Sequence, residues 1–431
     1  MPDNPLPKST FTLDASGVAG FFGGDEAIYA MATVNVYQGR RWLGWYNSPG
    51  SYTVAKKYGQ IARSGIWDGL FPGKHVDPAD LFELTGSNGP GYIGIHSGTI
   101  IPNTGHIGHL FMKECEAVPE GRVQKVEGRT SSEVTVTVVR LGGEPNHELN
   151  PQLPQPTTNH LAFIPILTSL VTCALCGVYE DWYCFAMILL GIITSGLACF
   201  VIGSAKFTFK HPKPAQGSPI GDGIMQTNKE MVIMLGVEGA VNSVTRGGFL
   251  LEFADKPHHS KVGICAFLLI VQFVAQLLLI PQGTLFGQIM FLASLGVSWA
   301  YNSYLAATDR EMIQREILRT IILPDMEMTK YKLGTRTTMV VFVLLMLRPS
   351  NPEKLLNTLL ANDTNTWNIW KRVVLEKVNG KRELSFEEED FAGVEDDERP
   401  LLENLYKDAH AAYKGYHQFV PGKSNDVEKV V

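Results

Sequence analysis

The chain has 431 residues, of which 19% are charged, and its mean hydropathy is +0.02. A protein lying mainly within a membrane would be far more apolar, so most of this chain is expected to be water-soluble. The net charge is −6, and Lys and Arg are scattered along the chain rather than clustered. Such a chain offers no basic surface to a phosphate backbone, so nucleic acid is excluded as an expected partner.

The first 150 residues are rich in glycine and aromatic residues, and we predict that they form a soluble, strand-containing domain. Residues 30–36 and 41–46 flank Gly39 and predict a β-hairpin, while residues 134–139 give the clearest strand pattern in the chain. Residues 52–64 predict a helix. The start of the chain has no basic and apolar leader pattern, which favours a cytosolic location for this domain. Residues 151–160 read as a proline-rich linker.

Three histidines in this domain are the best candidates for chemistry. His96, His106 and His109 lie among glycines, and Cys115 follows. Three imidazoles with a thiolate could hold zinc, and histidines that titrate near neutral pH could act as catalytic acids or bases. The alternative is that they are ordinary loop histidines, because the glycines beside His106 and His109 argue against a helix that would align the two rings. The sequence identifies no cofactor.

Two long uncharged stretches dominate the rest of the chain. Residues 262–308 carry no charge and have a Pro-Gln-Gly-Thr turn near their middle, which is the length of two membrane spans. Residues 161–205 form a similar pair, interrupted only by Glu180 and Asp181. The sequence therefore predicts a multi-pass α-helical membrane protein, with four spans in two hairpins and with cytosolic α/β or α+β soluble portions.

The polar and small residues within the four predicted spans favour helix packing over ion conduction. Gln276 and Gln288 stand at similar distances from the turn and are expected to hydrogen-bond across the hairpin. Gly287 and Gly296 belong to small-residue repeats that let helices approach closely. The alternatives are a pore lined by glutamines and a metal site at Cys173, Cys176 and Cys184, but no ionisable residue is present within these spans to support either.

The orientation follows from the basic residues that flank the predicted spans. Both hairpin tips lack Lys and Arg, whereas the open ends carry Lys206, Lys210, Lys213, Lys256, Lys261, Arg310, Arg315 and Arg319. The positive-inside rule then places both termini and the 206–261 segment in the cytosol. The identity of the membrane does not follow from the sequence.

The segments 206–261 and 309–380 are predicted to form one cytosolic α/β domain from both sides of the second hairpin. Residues 231–235 and 249–253 read as strands, and the ten apolar residues 338–347 read as a further strand. Asn351 and Pro352 open one helix, and residues 364–378 form another. Residues 381–431 are an acidic tail with a short amphipathic helix at 401–413, either a solvated linker or a regulatory segment.

No motif in the chain identifies a reaction, and whether it is an enzyme does not follow from the sequence. We favour a membrane-anchored interaction or regulatory protein. A membrane-associated enzyme acting on a lipid or hydrophobic small molecule is the alternative, and an oligomeric transporter or channel is the third possibility. The expected partners are the lipid bilayer and either a protein partner or a second copy of the chain, through the transmembrane helices.

Overall fold

The computed structural model describes residues 18–119, 122–227 and 230–419. The first residues, from which the absence of a leader was predicted, lie outside this part. The chain divides into two compact units. Unit 1 comprises Met1–Gly86, Glu148–Lys210 and Phe249–Ile317, and unit 2 comprises Ser87–His147, His211–Gly248 and Leu318–Val431. The region 1–150, which the sequence suggests is one domain, is therefore shared between the two units.

Helices and strands are numbered in chain order. The helices are α1 Val18–Phe21, α2 Gly24–Met31, α3 Ser51–Gly59, α4 Gly65–Leu70, α5 Pro78–Leu81, α6 His106–Glu116, α7 Phe163–Val178, α8 Trp182–Ile202, α9 Glu238–Thr245, α10 Ser260–Leu279, α11 Leu285–Ala306, α12 Arg310–Ile317, α13 Arg336–Leu347, α14 Pro352–Leu359, α15 Asn365–Asn379 and α16 Arg399–Phe419. The strands are β1 Gly91–Gly94, β2 Ile100–Ile101, β3 Val123–Lys125, β4 Val134–Arg140, β5 Glu148–Leu149, β6 Lys206–Lys210, β7 Gly223–Gln226, β8 Glu230–Leu235, β9 Gly248–Glu252 and β10 Glu327–Leu333.

Unit 1 contains the apolar helices. Three helical segments in the described residues are long and apolar enough to cross a membrane: Asn159–Val178, Trp182–Ile202 and Ser260–Gln282. Helix α11 has 22 residues, which is long enough, but its composition is more polar. Gln288, Ser294, Ser298 and Asn302 interrupt its apolar sequence. The described part of the chain thus has three helices of spanning length and composition, together with mixed α/β content elsewhere.

A buried carboxylate joins the turn between α7 and α8 to the turn between α10 and α11 in unit 1. Asp181 is the N-cap of α8 and accepts a hydrogen bond from the Cys184 backbone N–H at 3.0 Å. Its other oxygen accepts from the Thr284 backbone N–H at 2.7 Å and from the Thr284 hydroxyl at 2.6 Å. Thr284 in turn caps the start of α11 at Gly287. One side chain therefore satisfies backbone donors at the first turn of α8 and immediately before α11.

The glutamines of the second hairpin do not bond to each other, so that prediction is wrong. Gln276 donates to the Met187 carbonyl of α8 at 3.4 Å, and Gln288 donates to the Gly283 carbonyl at 3.1 Å. Gln276 faces a neighbouring helix, whereas Gln288 is close enough in sequence to the turn to bond to its backbone. Both side chains are buried, so these bonds stabilise helix packing, as polar groups in apolar helix bundles commonly do.

The predicted β-hairpin at residues 30–46 is also wrong. Helix α2 continues to Met31, turns follow, and residues 40–42 form a short 3₁₀ helix. Val34 and Val36 are both buried, so packing against the rest of unit 1 outweighs the strand preference of their β-branched side chains. The predicted helix at residues 52–64 is present as the shorter α3, which packs along α10.

Residues 43–50 form an irregular segment buried among the long helices of unit 1. The Asn47 backbone N–H donates to the Ser169 hydroxyl at 3.0 Å, and the Asn47 side-chain amide donates to the Ser294 hydroxyl at 2.8 Å. The Ser195 hydroxyl donates to the Gly44 carbonyl at 3.1 Å. Helices α7, α8 and α11 thereby supply side-chain partners for irregular backbone, which could not otherwise be buried without a large cost.

Unit 2 is built on a mixed sheet with strand order β2-β1-β7-β8-β4-β10-β3. The pairs β4/β8 and β3/β10 are parallel, and the other pairs are antiparallel. The predicted strands at residues 134–139 and 231–235 are β4 and β8, both near the centre. The predicted strand at 249–253 is β9, which instead joins β5 and β6 in a separate three-stranded sheet.

Helices α13 to α16 contribute to the core of unit 2, with α13 directly against the sheet. Helix α13 covers residues 338–347, so the strand predicted there is wrong. Ten of its twelve residues are buried, and a helix buried on all sides has no apolar periodicity to distinguish it from a buried strand. Its start is fixed by Thr335, whose hydroxyl accepts from the Thr338 backbone N–H at 3.0 Å.

Helices α14 and α15 begin where the sequence indicates, but α16 is longer than expected. Asn351 caps α14 by accepting from the Lys354 backbone N–H, with Pro352 in the first turn. Helix α15 matches the prediction at residues 364–378. Helix α16 extends well beyond the predicted 401–413, and its apolar side packs against α13 and α15 as part of the core.

Candidate functional site

His106 and His109 lie on the first turn of α6, so the loop predicted there is wrong. Their rings are stacked with centroids 6.3 Å apart and planes 20° apart. Gly105 precedes the helix in an extended conformation. Gly108 allows the helix to approach Thr104, because a Cβ at residue 108 would overlap the Thr104 side chain. The two glycines permit close packing and a helix start instead of preventing a helix.

The third predicted histidine lies in the turn after β1. His96 Nε2 is 3.8 Å from Asp222 Oδ2, and the other Asp222 oxygen accepts from the Gly236 backbone N–H at 2.9 Å. Within residues 18–119, 122–227 and 230–419, no group of three or more His, Cys, Asp or Glu side chains could hold a metal ion. A catalytic role for His96, His106 and His109 stays a prediction.

Cys115, the fourth predicted ligand, is fully buried at the far end of α6. Burial raises the pKa of its thiol well above the usual value, and the nearby Glu230 carboxylate raises it further. The thiol is therefore protonated at neutral pH, whereas metal binding and nucleophilic attack both require the thiolate. These surroundings favour a packing role for the side chain.

A buried ion pair, which sequence reasoning did not identify, lies close to Cys115. Lys330 Nζ is 2.9 Å from Glu230 Oε1, and the two residues are 7% and 6% exposed. The Thr137 hydroxyl donates to the same oxygen at 2.5 Å. Lys330 also donates to the Cys115 carbonyl at 3.2 Å and the Glu116 carbonyl at 3.4 Å. The ammonium thus links the C-terminal end of α6 to β8 and β10.

Unit 2 also has an open pocket of about 310 Å³ beside α16, a size in the range of small-ligand sites. Three rings form its apolar part: Phe386 stacks on Tyr406 with centroids 4.0 Å apart, and Phe391 meets Tyr406 edge-on at 5.2 Å. The other lining residues are Ser385, Glu403, Lys407 and His410. A hydrogen bond fixes the position of the Tyr406 ring, because its hydroxyl donates to the Asp390 carbonyl at 2.7 Å.

The rim of this pocket is acidic. Residues 387–390, which lie between Phe386 and Phe391, are three glutamates and one aspartate. Glu388 pairs with Arg399, and Asp390 pairs with Lys377. In the part of the chain that the structure describes, six further acidic residues of this region are exposed and form no ion pair: Glu383, Glu387, Glu389, Glu395, Asp396 and Asp397. A ligand with positive charge would therefore be electrostatically favoured.

Only the acidic rim of this pocket can be recognised from the sequence. The acidic run is visible, but the aromatic residues are spread over two segments, 386–391 and 406, that only the fold brings together. Comparison of the chain with protein-family models, curated protein sequences and solved structures finds no match.

Proposed function

We propose that this is a membrane-anchored interaction protein. In this proposal α7, α8, α10 and α11 are four spans, both termini are cytosolic, and unit 2 is a cytosolic domain that binds a partner protein. The observation that carries the membrane part is the surface of the long helices of unit 1, where many apolar side chains are exposed while the polar ones are buried between the helices. Exposed apolar surface of this extent marks a membrane or protein contact in a folded protein.

The outward apolar side chains lie along each of the four helices. Exposed members include Leu167, Leu170, Ile193, Ile264, Phe267, Val274, Leu278 and Ile289. The buried polar side chains include Ser169, Thr194, Gln272, Gln276, Gln288, Ser294, Ser298 and Asn302. In α11 the residues that lower the helix hydropathy face inwards, so its outer surface is suited to lipid. This supports counting α11 as the fourth span.

Two measurements test the anchoring. Alkaline carbonate should leave the protein in the membrane pellet, because integral helices resist extraction that removes peripheral proteins. Cysteines placed at Glu180 and Gln282, both exposed at the hairpin turns, should react with an impermeant maleimide only from the side opposite the termini. Labelling of the two turns from opposite sides would contradict four spans, and labelling of both from the cytosolic side would contradict the orientation.

A transporter is less well supported than an anchor. Residues 43–50 lie among α7, α8 and α11 and hydrogen-bond to side chains from all three. A conducting path needs a water-filled route lined by polar groups. Ser169 and Ser195 bond to the backbone of this segment and Ser294 bonds to the Asn47 side chain, which favours a packed anchor over a pore.

The pocket beside α16 supports the interaction part of the proposal. Its rings offer an apolar surface, and its rim carries acidic side chains that form no ion pair among the described residues. The partner that fits both features is a basic protein segment with an apolar or aromatic anchor residue. The negative surface of a cytosolic leaflet would be repelled by the same rim, so this face is not suited to membrane contact.

Binding of model peptides to the full-length protein in lipid nanodiscs would test this site. Fluorescence polarisation should show at least about tenfold tighter binding of a Lys/Arg-rich peptide with one Trp than of its Asp/Glu counterpart, with binding weakened by salt. Glu403→Lys, at the pocket, should weaken binding of the basic peptide. Glu353→Lys, on exposed α14 outside the pocket lining, is the matched control. Equal binding of both peptides, or equal effects of both variants, would contradict the proposed site.

A further inference from the structure

One buried charge in unit 1 has no counterion in the described part of the chain. Arg40 is 5% exposed. Its guanidinium donates to Asn159 Oδ1 at 3.2 Å and to the Tyr301 hydroxyl at 3.4 Å, and both acceptors are neutral. Its guanidinium carbon also lies 6.0 Å from the Tyr37 ring centroid, and none of the ion pairs among the described residues includes Arg40. Neutral partners compensate a buried cation only in part, so an anion would stabilise this arrangement.

The surroundings of Arg40 are rich in hydrogen-bond donors. A guanidinium has five N–H groups, and the two bonds above occupy only part of them. The side-chain N–H₂ of Asn159 is buried and has no acceptor in the described residues. The Tyr46 hydroxyl, which lines the same space, donates to Asn302 Oδ1. The C-terminal ends of α8 and α11 lie nearby and favour a cation.

A small cavity adjoins this cluster. Its volume is about 20 Å³, and Arg40, Gly44, Tyr46, Cys199 and Tyr301 are among its lining residues. A space of this size holds one water molecule or one oxygen atom of a larger group. It is too small for a whole phosphate, so only a single phosphate oxygen could enter while the rest of the group remained outside.

A second arginine lies on the neighbouring surface. Arg41 is exposed, and its guanidinium carbon lies 5.5 Å from the Trp42 ring centroid and 5.4 Å from that of Phe200. Trp42 is itself exposed. Exposed tryptophan beside arginine at the end of an apolar helix is typical of the headgroup level of a bilayer. In the proposed orientation this end of α8 faces the cytosolic leaflet, which contains the anionic lipids.

We propose that Arg40 and Arg41 bind the phosphate group of an anionic phospholipid, with one phosphate oxygen entering the cavity at Arg40. This inference rests on the proposed membrane insertion of unit 1. The insertion proposal and the lipid-binding proposal can fail separately, because carbonate extraction tests insertion without involving the lipid headgroup.

The test uses full-length protein in detergent, titrated with a short-chain phosphatidic acid, with the matching phosphatidylcholine and, separately, with inorganic phosphate. The thermal unfolding midpoint reports binding. Phosphatidic acid should raise the midpoint and phosphatidylcholine should not. Arg40→Gln should weaken phosphatidic acid binding about 10- to 100-fold, the range expected when charge-assisted hydrogen bonds are lost. Arg63→Gln, an exposed arginine of unit 1, is the control and should change binding less than about twofold.

A second variant keeps the test valid if Arg40→Gln does not fold. Arg40→Lys retains the charge but loses the planar fork of donors, so it should bind the lipid more weakly than the native protein. An unchanged midpoint with phosphatidic acid, or equal binding by the Arg40 variants and the native protein, would overturn the proposal and assign the cavity to water. A midpoint raised by inorganic phosphate but not by the lipid would overturn the lipid assignment.

Discussion

The buried pair of Lys330 and Glu230 gives the sharpest stability prediction. Replacing Lys330 with Met leaves the Glu230 carboxylate buried with the Thr137 hydroxyl as its remaining side-chain donor. Removing one partner of a buried ion pair costs about 3–5 kcal/mol. Replacing Glu230 with Gln should cost less, because Lys330 keeps the Cys115 and Glu116 carbonyls as acceptors. Converting both residues to Met should cost less than Lys330→Met alone, since no charge remains buried.

Hydrogen exchange read by mass spectrometry gives the local free energy of opening for peptides covering β4, β8 and β10. A loss of 3–5 kcal/mol corresponds to exchange faster by about two to four orders of magnitude. Lys332 provides a matched control on the same strand. It pairs with Glu133 at 2.5 Å, but both side chains are substantially exposed, so Lys332→Met should cost less than about 1 kcal/mol. Equal effects of Lys330→Met and Lys332→Met would refute the argument from burial.

Three further predictions concern the hairpin turns and the thiol. Asp181→Asn should lower the stability of unit 1 by about 1–3 kcal/mol, seen as a lower thermal midpoint in detergent, because the buried donors of Thr284 lose a charged acceptor. Gly287→Ala should also destabilise unit 1, because the added Cβ would overlap the Asp181 carboxylate. Gly296→Ala, in the same helix, adds a Cβ in open space and should leave the stability unchanged. Equal thermal midpoints for the two alanine variants would contradict this packing. Cys115 should resist maleimide at pH 8 until unit 2 is denatured, because burial raises the pKa of its thiol. Peptide mapping that finds Cys115 labelled in the folded protein would show that its thiol is accessible to solvent.

Features encoded by neighbouring residues could be predicted from the sequence. Alternating Val and Thr at 134–139 predict β4, and Asn351 with Pro352 marks the start of α14, because strand pattern and helix capping depend on a few adjacent positions. The apolar helices of unit 1 followed from uncharged length for the same reason. The run at 338–347 resembles a strand in sequence because burial on all sides removes the periodicity that separates helix from strand.

The sites depend on residues that are distant in sequence, and these could not be predicted. Glu230 and Lys330 look like ordinary charged residues until the strand order brings β8 and β10 to either side of β4. Arg40 reads as part of a hairpin turn, although its buried surroundings come from residues more than a hundred positions away. The glycines beside His106 and His109 predict an interrupted helix, but Gly108 instead allows α6 to pack closely against Thr104.

The buried segment 43–50 has a consequence for how unit 1 is assembled. It is synthesised before the long helices to which it bonds: Asn47 bonds to Ser169 and Ser294, and Tyr46 bonds to Asn302. In a cell these residues leave the ribosome long before α7, α8, α10 and α11 exist, and irregular polar backbone cannot enter lipid alone. If unit 1 is inserted into a membrane as proposed, this segment takes its place only after those four helices have been inserted. Maturation of this protein should thus depend on completion of α11, and chains truncated before that helix should leave residues 43–50 open to proteases.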